Sequence, residues 1–309
     1  MKVFYCDGFG FPLPEGHRFP LTKFGLVREA VVAAGLVAPE DLIVPEPIGD
    51  EAVLRVHDAE YLRRLKAGQL TTREIHRIGL PWSPELMTRT RYAVGGTLAA
   101  CRAALEDGIA MNLAGGTHHA FRDHGQGFCL FNDTVIAVRA LQAERRIERA
   151  AVLDCDVHQG NGTAALAADD PTLFTFSIHN EDNFPLFKVP SDLDIGLRDG
   201  TGDTEYLAAL EPGVRRALEL ADADLALYLA GADPYEGDLW GRMALTKAGL
   251  EARDRIVLEL CRAEDLPAAV LMAGGYGRFI QDTVEIHTTT VRIAVEMART
   301  WPPKEGEAR

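Results

Sequence analysis

The chain has 309 residues and a formal net charge of −14 at pH 7, from 32 Lys and Arg against 46 Asp and Glu, with 47% hydrophobic and 25% charged residues. That composition excludes a disordered, collagen-like or coiled-coil chain, and the negative balance argues against nucleic-acid binding, which needs positive surface to neutralise phosphates. The length suits one or two domains, and no apolar run reaches the roughly 18 residues of a membrane span, so neither nucleic acid nor membrane is expected as a partner.

The opening MKVFYCDGFG carries one Lys and turns to Asp7-Gly8 too soon for a secretory signal. The run 2–6 predicts a strand, and the period of 21–34 a helix. A helix over 84–107 precedes a strand at 109–113. Helix 131–144 and strands 150–153 and 173–177 follow, then helix 206–221, strand 225–230, helix 246–263, strand 269–272 and helix 284–299. Strands that are apolar throughout and alternate with helices indicate a parallel sheet covered on both faces. The acidic segment 181–205 reads as a solvated rim loop, or as one that attracts positive flanks of a substrate. The Pro-rich, charged end, 301–309, is expected to fray. The five cysteines (Cys6, Cys101, Cys129, Cys155, Cys261) are odd in number and scattered, which suits thiols in a reducing cytoplasm.

Most predicted strands end in a polar cluster: AGGTHHAF, DCDVHQGNG, IHNEDNFP, GADPYEG and AGGYG. In open α/β sheets ligands bind beyond the carboxyl ends of the strands, so these loops predict one convergent site. Five of the nine histidines lie between His118 and His179, which points to the same region. Asp156 and His158 stand two apart, and in extended backbone both point the same way and could reach one metal. A strand-end turn with a helix-capping Asp would use the same residues. Asp233 follows an apolar strand, where an unpaired carboxylate is costly to bury. Two carboxylates and one imidazole leave a position open for water and substrate, as a catalytic metal requires, whereas structural zinc sites are closed. His118 and His119 could do acid/base work on metal-bound water, each oriented by an acceptor behind it. Tyr276, between glycines, could donate a hydrogen bond to a developing oxyanion. Phe128 reads equally as core or as the wall of an apolar channel.

Read together and in this order, GGTHHAF, GFCLFND, LDCDVHQGNGT, GADP and GGYGR resemble the histone deacetylase family of zinc-dependent amidohydrolases. The segments FGFPLPEGHRFP and RVHDAEYL fit the family's N-terminal part, and 183–207 looks most like its class IV branch and bacterial relatives. The resemblance implies an α/β fold: a single three-layer arginase/deacetylase-like domain over residues 1–300, with a mostly parallel sheet of about eight strands and a frayed tail at 301–309. It implies Asp156, His158 and Asp233 as metal ligands, for Zn2+ or Fe2+. It implies His118 and His119 as the paired active-site histidines and Tyr276 as the residue that polarises the substrate carbonyl. Asp154 matches the carboxylate that partners the first His and holds a structural K+. Ser177 would add its hydroxyl to that ion, with backbone carbonyls of Asp156, His158 and Ile178. Gly127 and Phe128 match the substrate channel. Two departures stand out. Asn161 partners the second His where many members have Asp, so His119 should be less basic. The second channel wall is not obvious, and Phe184 is the candidate.

The expected reaction is hydrolysis of an acyl group (acetyl or longer) from lysine side chains of proteins or peptides by metal-activated water. An acylated small amine, as in acetylpolyamine amidohydrolases, is the nearest rival substrate. The short N-terminal region weakens that rival. An arginase-like two-manganese enzyme would need more Asp-rich motifs, and a catalytically dead acyl-lysine binding module would not need every reactive residue present. The sequence carries no signal for oligomeric state.

Overall fold

The computed structural model describes residues 1–301. Among these residues, eight strands form one sheet: β1 (Val3–Phe4), β2 (Leu42–Ile43), β3 (Ile109–Asn112), β4 (Ala150–Asp154), β5 (Leu173–Asn180), β6 (Leu193–Leu197), β7 (Leu225–Leu229) and β8 (Ala268–Leu271). Every pairing is parallel, and the order across the sheet is β2-β1-β3-β8-β7-β4-β5-β6. The helices are α1 (Lys23–Ala33), α2 (Asp50–Leu54), α3 (Ala59–Lys66), α4 (Thr72–Ile78), α5 (Pro84–Asp107), α6 (Asp133–Ala143), α7 (Asn161–Ala167), α8 (Asp203–Ala221), α9 (Lys247–Ala263) and α10 (Ile280–Ala298).

Side chains alternate along the central strands and so feed two cores. Val152, Leu227, Leu229 and Leu271 face the side covered by α5 and α6. Leu153, Tyr228 and Val270 face the side covered by α1, α8, α9 and α10. β3, β4, β7 and β8 are buried along their whole length, which is why they read as apolar runs rather than alternating ones. α5 starts where its sequence says it should. Ser83 Oγ accepts the Leu86 N–H at 3.1 Å, Pro84 fills the first turn, and the helix ends at Gly108. Within α5, Gly95 lies so close to the loop before α2 that a Cβ there would sit 1.9 Å from the Glu46 carbonyl oxygen.

Two features differ from the expectation. The segment 181–205 is not simply a rim loop, because β6 runs through it as an edge strand whose alternate residues are exposed. Its carboxylates are largely engaged. Asp192 accepts from Thr175, Asp194 from the Ser191 N–H, Asp199 pairs with Arg242, and Asp203 accepts from Thr246 at the start of α9. Trp301, the first residue of the tail expected to fray, is 8% exposed and packs into the core beneath α9 and α10. The rest of that tail, 302–309, lies outside the described residues. Among the described residues, no helix is long and apolar enough to cross a membrane. All five cysteines are buried free thiols.

Candidate metal centre

The site sits where the strands β3, β4, β7 and β8 give out. β4 ends on Asp154, and the chain then turns sharply. Asp154 Oδ1 accepts the Asp156 N–H at 3.1 Å, and Asp156 Oδ1 accepts the His158 N–H at 3.0 Å. Across the neighbouring strand end, Asp233 Oδ1 accepts the Val157 N–H at 3.0 Å, while Gly274 after β8 donates its N–H to Asp156 Oδ2 at 2.8 Å. Backbone donors thus fix both carboxylates. His158 Nδ1 lies 3.1 Å from Asp156 Oδ1 and 3.4 Å from Asp233 Oδ2. Asp156, His158 and Asp233 each offer one ligand atom, all within 4.8 Å of one another.

These residues fit a divalent cation. Asp233 is fully buried, yet its Oδ2 has no hydrogen-bond partner, a costly arrangement for a carboxylate oxygen without a ligand. Burial and the neighbouring Asp156 charge push the Asp233 carboxyl upward. Burial opposes charge on His158, but its bonds to Asp156 and Asp233 outweigh that and raise it to about 10. Both shifts express a demand for positive charge at one point. A Cβ on Gly274 would lie 1.9 Å from Asp233 Oδ2, so only glycine leaves room for the carboxylate there. One imidazole nitrogen and two carboxylate oxygens suit zinc or ferrous iron.

His118 and His119 come from the loop after β3. Asp133, buried at the start of α6, accepts the N–H groups of Gly116 and Thr117 at 2.9 and 2.7 Å and so shapes that loop. The two imidazoles lie 4.1 Å apart between ring centroids. His118 donates from Nδ1 to Asp154 Oδ2 at 2.6 Å, and His119 from Nδ1 to Asn161 Oδ1 at 2.8 Å. Each bond leaves Nε2 free. Burial disfavours charge on both rings, and the partners decide the outcome. Asp154 and Asp156 lift His118 to about 9. His119, with only an amide partner and two imidazoles nearby, is held well below the usual histidine range.

Tyr276, half-buried, follows β8. Asp238 accepts its backbone N–H at 2.6 Å and those of Trp240 and Gly241 at 2.8 and 3.0 Å. Burial, reinforced by Asp233, raises the Tyr276 phenol well above its usual range, so it stays a donor. Phe128 adopts a left-handed φ of 67°, rare for an aromatic, pinned by its N–H bond to the Ile78 carbonyl at 2.7 Å. It faces Trp240 at 5.6 Å and Tyr276 at 5.9 Å. Phe184 stands edge-on to His119 at 4.9 Å, and a Cβ on Gly127 would press on both rings.

One cavity of about 640 Å³ is lined by His118, His119, Gly127, Phe128, Asp156, His158, Phe184 and Tyr276 among others. Asp154, Asn161, Ser177, Ile178 and Asp233 lie behind that wall. Ser177 sits opposite Asp154 in the β4–β5 register, and its hydroxyl bonds to His179 Nδ1 at 2.9 Å. Sequence reasoning did not single out Lys23, Arg89, Asp238 or Trp240. Lys23, on α1, is 1% exposed and donates from Nζ to the carbonyls of Ala273 and Gly275. Burial lowers it to about 8 despite the aspartates nearby. Only Trp240 carried a signal, as an aromatic in the Gly-flanked segment GDLWG.

A profile described as the histone deacetylase domain matches residues 17–291. An uncharacterised protein of Picosynechococcus is 44% identical over 293 residues, covering 94% of this chain and 97% of that one. A histone deacetylase-like amidohydrolase of Pseudomonas aeruginosa is 31% identical over 284 residues, covering 86% of this chain and 74% of that one. The crystal structure of an HDAC homologue complexed with SAHA matches with a TM-score of 0.81 at 21% identity, covering 100% of this chain and 91% of that one, and shares the fold. With the domain profile spanning most of its length and relatives of that kind along nearly all of it, the chain belongs to the histone deacetylase family of hydrolases.

Proposed function

We propose that residues 1–300 act as one catalytic domain that removes acyl groups from lysine side chains of proteins or peptides. The observation that carries this reading is the buried, unpartnered Asp233 Oδ2 beside Asp156 and His158, at a cavity that also receives His118, His119 and Tyr276. Asp156, His158 and Asp233 would hold Zn2+ or Fe2+. A bound divalent cation supplies Lewis acidity at the acyl carbonyl and lowers the pKa of water. His119, kept neutral by burial and the neighbouring imidazoles, accepts the proton of the attacking water at Nε2. Tyr276 donates its phenol hydrogen bond to the carbonyl oxygen as that oxygen gains charge. His118, kept protonated by Asp154, stands beside His119 as the proton reserve from which the leaving amine is protonated. Asp154, the Ser177 hydroxyl and the backbone carbonyls of Asp156, His158 and Ile178 would supply an all-oxygen set suited to a structural K+. Phe128 and Phe184, with Gly127, would flank the lysine arm. The cavity also has apolar walls at Phe11, Phe24, Leu86 and Val94, which gives acyl chains longer than acetyl a surface to cover.

The test is a panel of lysine peptides carrying acyl groups from acetyl to long chain, with acetyl-spermidine beside them, on protein loaded with Zn2+ or Fe2+. Amine release from the peptides is expected. Turnover of acetyl-spermidine alone would move the substrate to small amines. No release from any substrate by protein holding one metal per chain would overturn the reading.

A further inference from the structure

A buried ion pair stands behind the triad, and the reaction does not use it. Arg253 of α9 is fully buried and does not line the cavity. Its Nη1 donates to the Gly231 carbonyl at 2.5 Å and to the Cys155 carbonyl at 3.3 Å. Those carbonyls belong to the two ligand loops: Cys155 lies between Asp154 and Asp156, and Gly231 is two residues before Asp233. The β4–β7 ladder makes a bond from the Cys155 N–H to the Leu229 carbonyl at 3.1 Å. Past that point both chains turn to aim their carboxylates at one another, and buried carbonyls there need a donor that sheet pairing no longer supplies. One guanidinium answers both.

The guanidinium is itself held. Asp254 Oδ1 accepts the Arg253 Nε N–H at 2.9 Å and lies 2.8 Å from Nη2 as an ion-pair contact, though Nη2 itself makes no hydrogen bond among the described residues. The same carboxylate accepts the Tyr228 hydroxyl at 2.5 Å and the Thr290 hydroxyl at 2.6 Å. Residues of β7, α9 and α10 therefore fix one planar fork. A buried ion pair is weak evidence for stability, since an apolar pair of like volume often serves as well, and its best-attested use is to specify geometry. A lysine here could offer a charge but not the rigid fork.

We infer that Arg253 is a positioning residue that sets the separation of the two ligand loops, and so the spacing of Asp156 and Asp233, before any cation arrives. This rests on the reading of the triad as a metal site.

The experiment titrates Zn2+ into the full-length, chelator-stripped protein against a chromophoric chelator, with the melting temperature of the metal-free protein as the second readout. Two variants are compared with wild type: Arg253→Lys, and the paired replacement Arg253→Met with Asp254→Leu, which removes the charges together. Both are expected to bind zinc roughly 10–100-fold more weakly, the usual cost of losing support behind a metal ligand. The paired replacement also strands the Tyr228 and Thr290 hydroxyls, so its melting temperature is expected to fall, and its zinc affinity is read well below that melting temperature. Tyr228→Phe, which leaves both carbonyl contacts in place, is expected to keep wild-type zinc affinity. A folded Arg253 variant with wild-type zinc affinity overturns the inference. So does failure of both variants to fold, because the pair would then hold the fold and not the spacing. Wild-type protein that takes up no zinc overturns the metal reading and this inference together, which tells the two failures apart.

Discussion

His118 and His119 are neighbours in sequence, both buried, and driven in opposite directions by the charges around them. Asp154 and Asp156 keep the first imidazole charged against its burial, whereas burial and the nearby His118 and His158 hold the second neutral, since the amide of Asn161 offers it no countercharge. Pairs of titratable groups pushed apart in this way divide acid and base duties. Tyr276 completes the set as a donor that cannot ionise at neutral pH. Tyr276→Phe is expected to keep fold and metal but lower kcat by about 10²–10³-fold, the usual cost of one oxyanion donor. Steady-state kinetics with metal analysis on the same sample checks it, and wild-type turnover would remove the assigned role. At this scale the sequence was informative where chemistry is local. Asp154, Asp156 and His158 fall within one strand end, and His118 and His119 are adjacent. Lys23 and Asp238 were not legible, because Lys23 donates to carbonyls 250 and 252 residues on, and Asp238, besides its local bonds to Trp240 and Gly241, holds the Tyr276 N–H 38 residues away.

The elements were legible where burial is complete on both faces and hidden where it is not. β3, β4, β7 and β8 read as apolar runs, and the ends of α5 are written by Ser83, Pro84 and Gly108. β6 escaped because an edge strand alternates with solvent, and LDIGL contains an Asp and a Gly. β2 is two residues long. α4 did have a signature, the capping box of Thr71 and Glu74, in a helix of only seven residues. Element packing yields two predictions. Gly95→Ala adds helix propensity of up to about 1 kcal/mol in the right direction. The backbone of Glu46 leaves it no space, and overpacking of this kind costs about 1–3 kcal/mol. A net loss of stability is expected by urea unfolding, and a gain would show that the helix can shift. The second concerns His57, which ties the loop after β3 to the start of α6. Its Nδ1 donates to the Phe121 carbonyl at 2.8 Å, and its Nε2 accepts the Asn132 N–H at 3.0 Å. Burial lowers its pKa from 6.5 to about 4. Between those values the unfolded chain binds a proton that the folded chain refuses, so stability falls as pH drops from 6.5 toward 4 and is fully present above 6.5. The loss attributable to His57 is about 3 kcal/mol. Urea unfolding at neutral pH and near pH 4.5 should show a smaller acid loss in His57→Gln than in wild type, and equal losses would refute the assignment.

The whole molecule carries −14, and in the acidic segment 181–205 Asp199 is paired with Arg242 while Asp192 and Asp203, bound only by neutral Thr groups, keep their charge. Attraction of a basic substrate should therefore come from the summed field, which salt screens with a Debye length of about 10 Å at 0.1 M. Raising the salt concentration is expected to raise KM for an acyl-lysine peptide with Lys and Arg flanks while leaving kcat nearly constant. A peptide with neutral flanks should show little change, and equal responses would remove the electrostatic account.

The strand order also has a temporal meaning. Among the described residues β8 is the last strand in the chain, yet it lies between β3 and β7, joining the sheet's early edge, β2-β1-β3, to its later one, β7-β4-β5-β6. As the chain leaves the ribosome, His118 and His119 hang from one half and Asp156, His158 and Asp233 from the other. The strand that joins the two halves within the sheet is the same one that delivers Gly274 and Tyr276. Until β8 is in place, β3 and β7 present two unpaired parallel edges, so the sheet closes beside the triad only with a strand that pairs residues far apart in the chain.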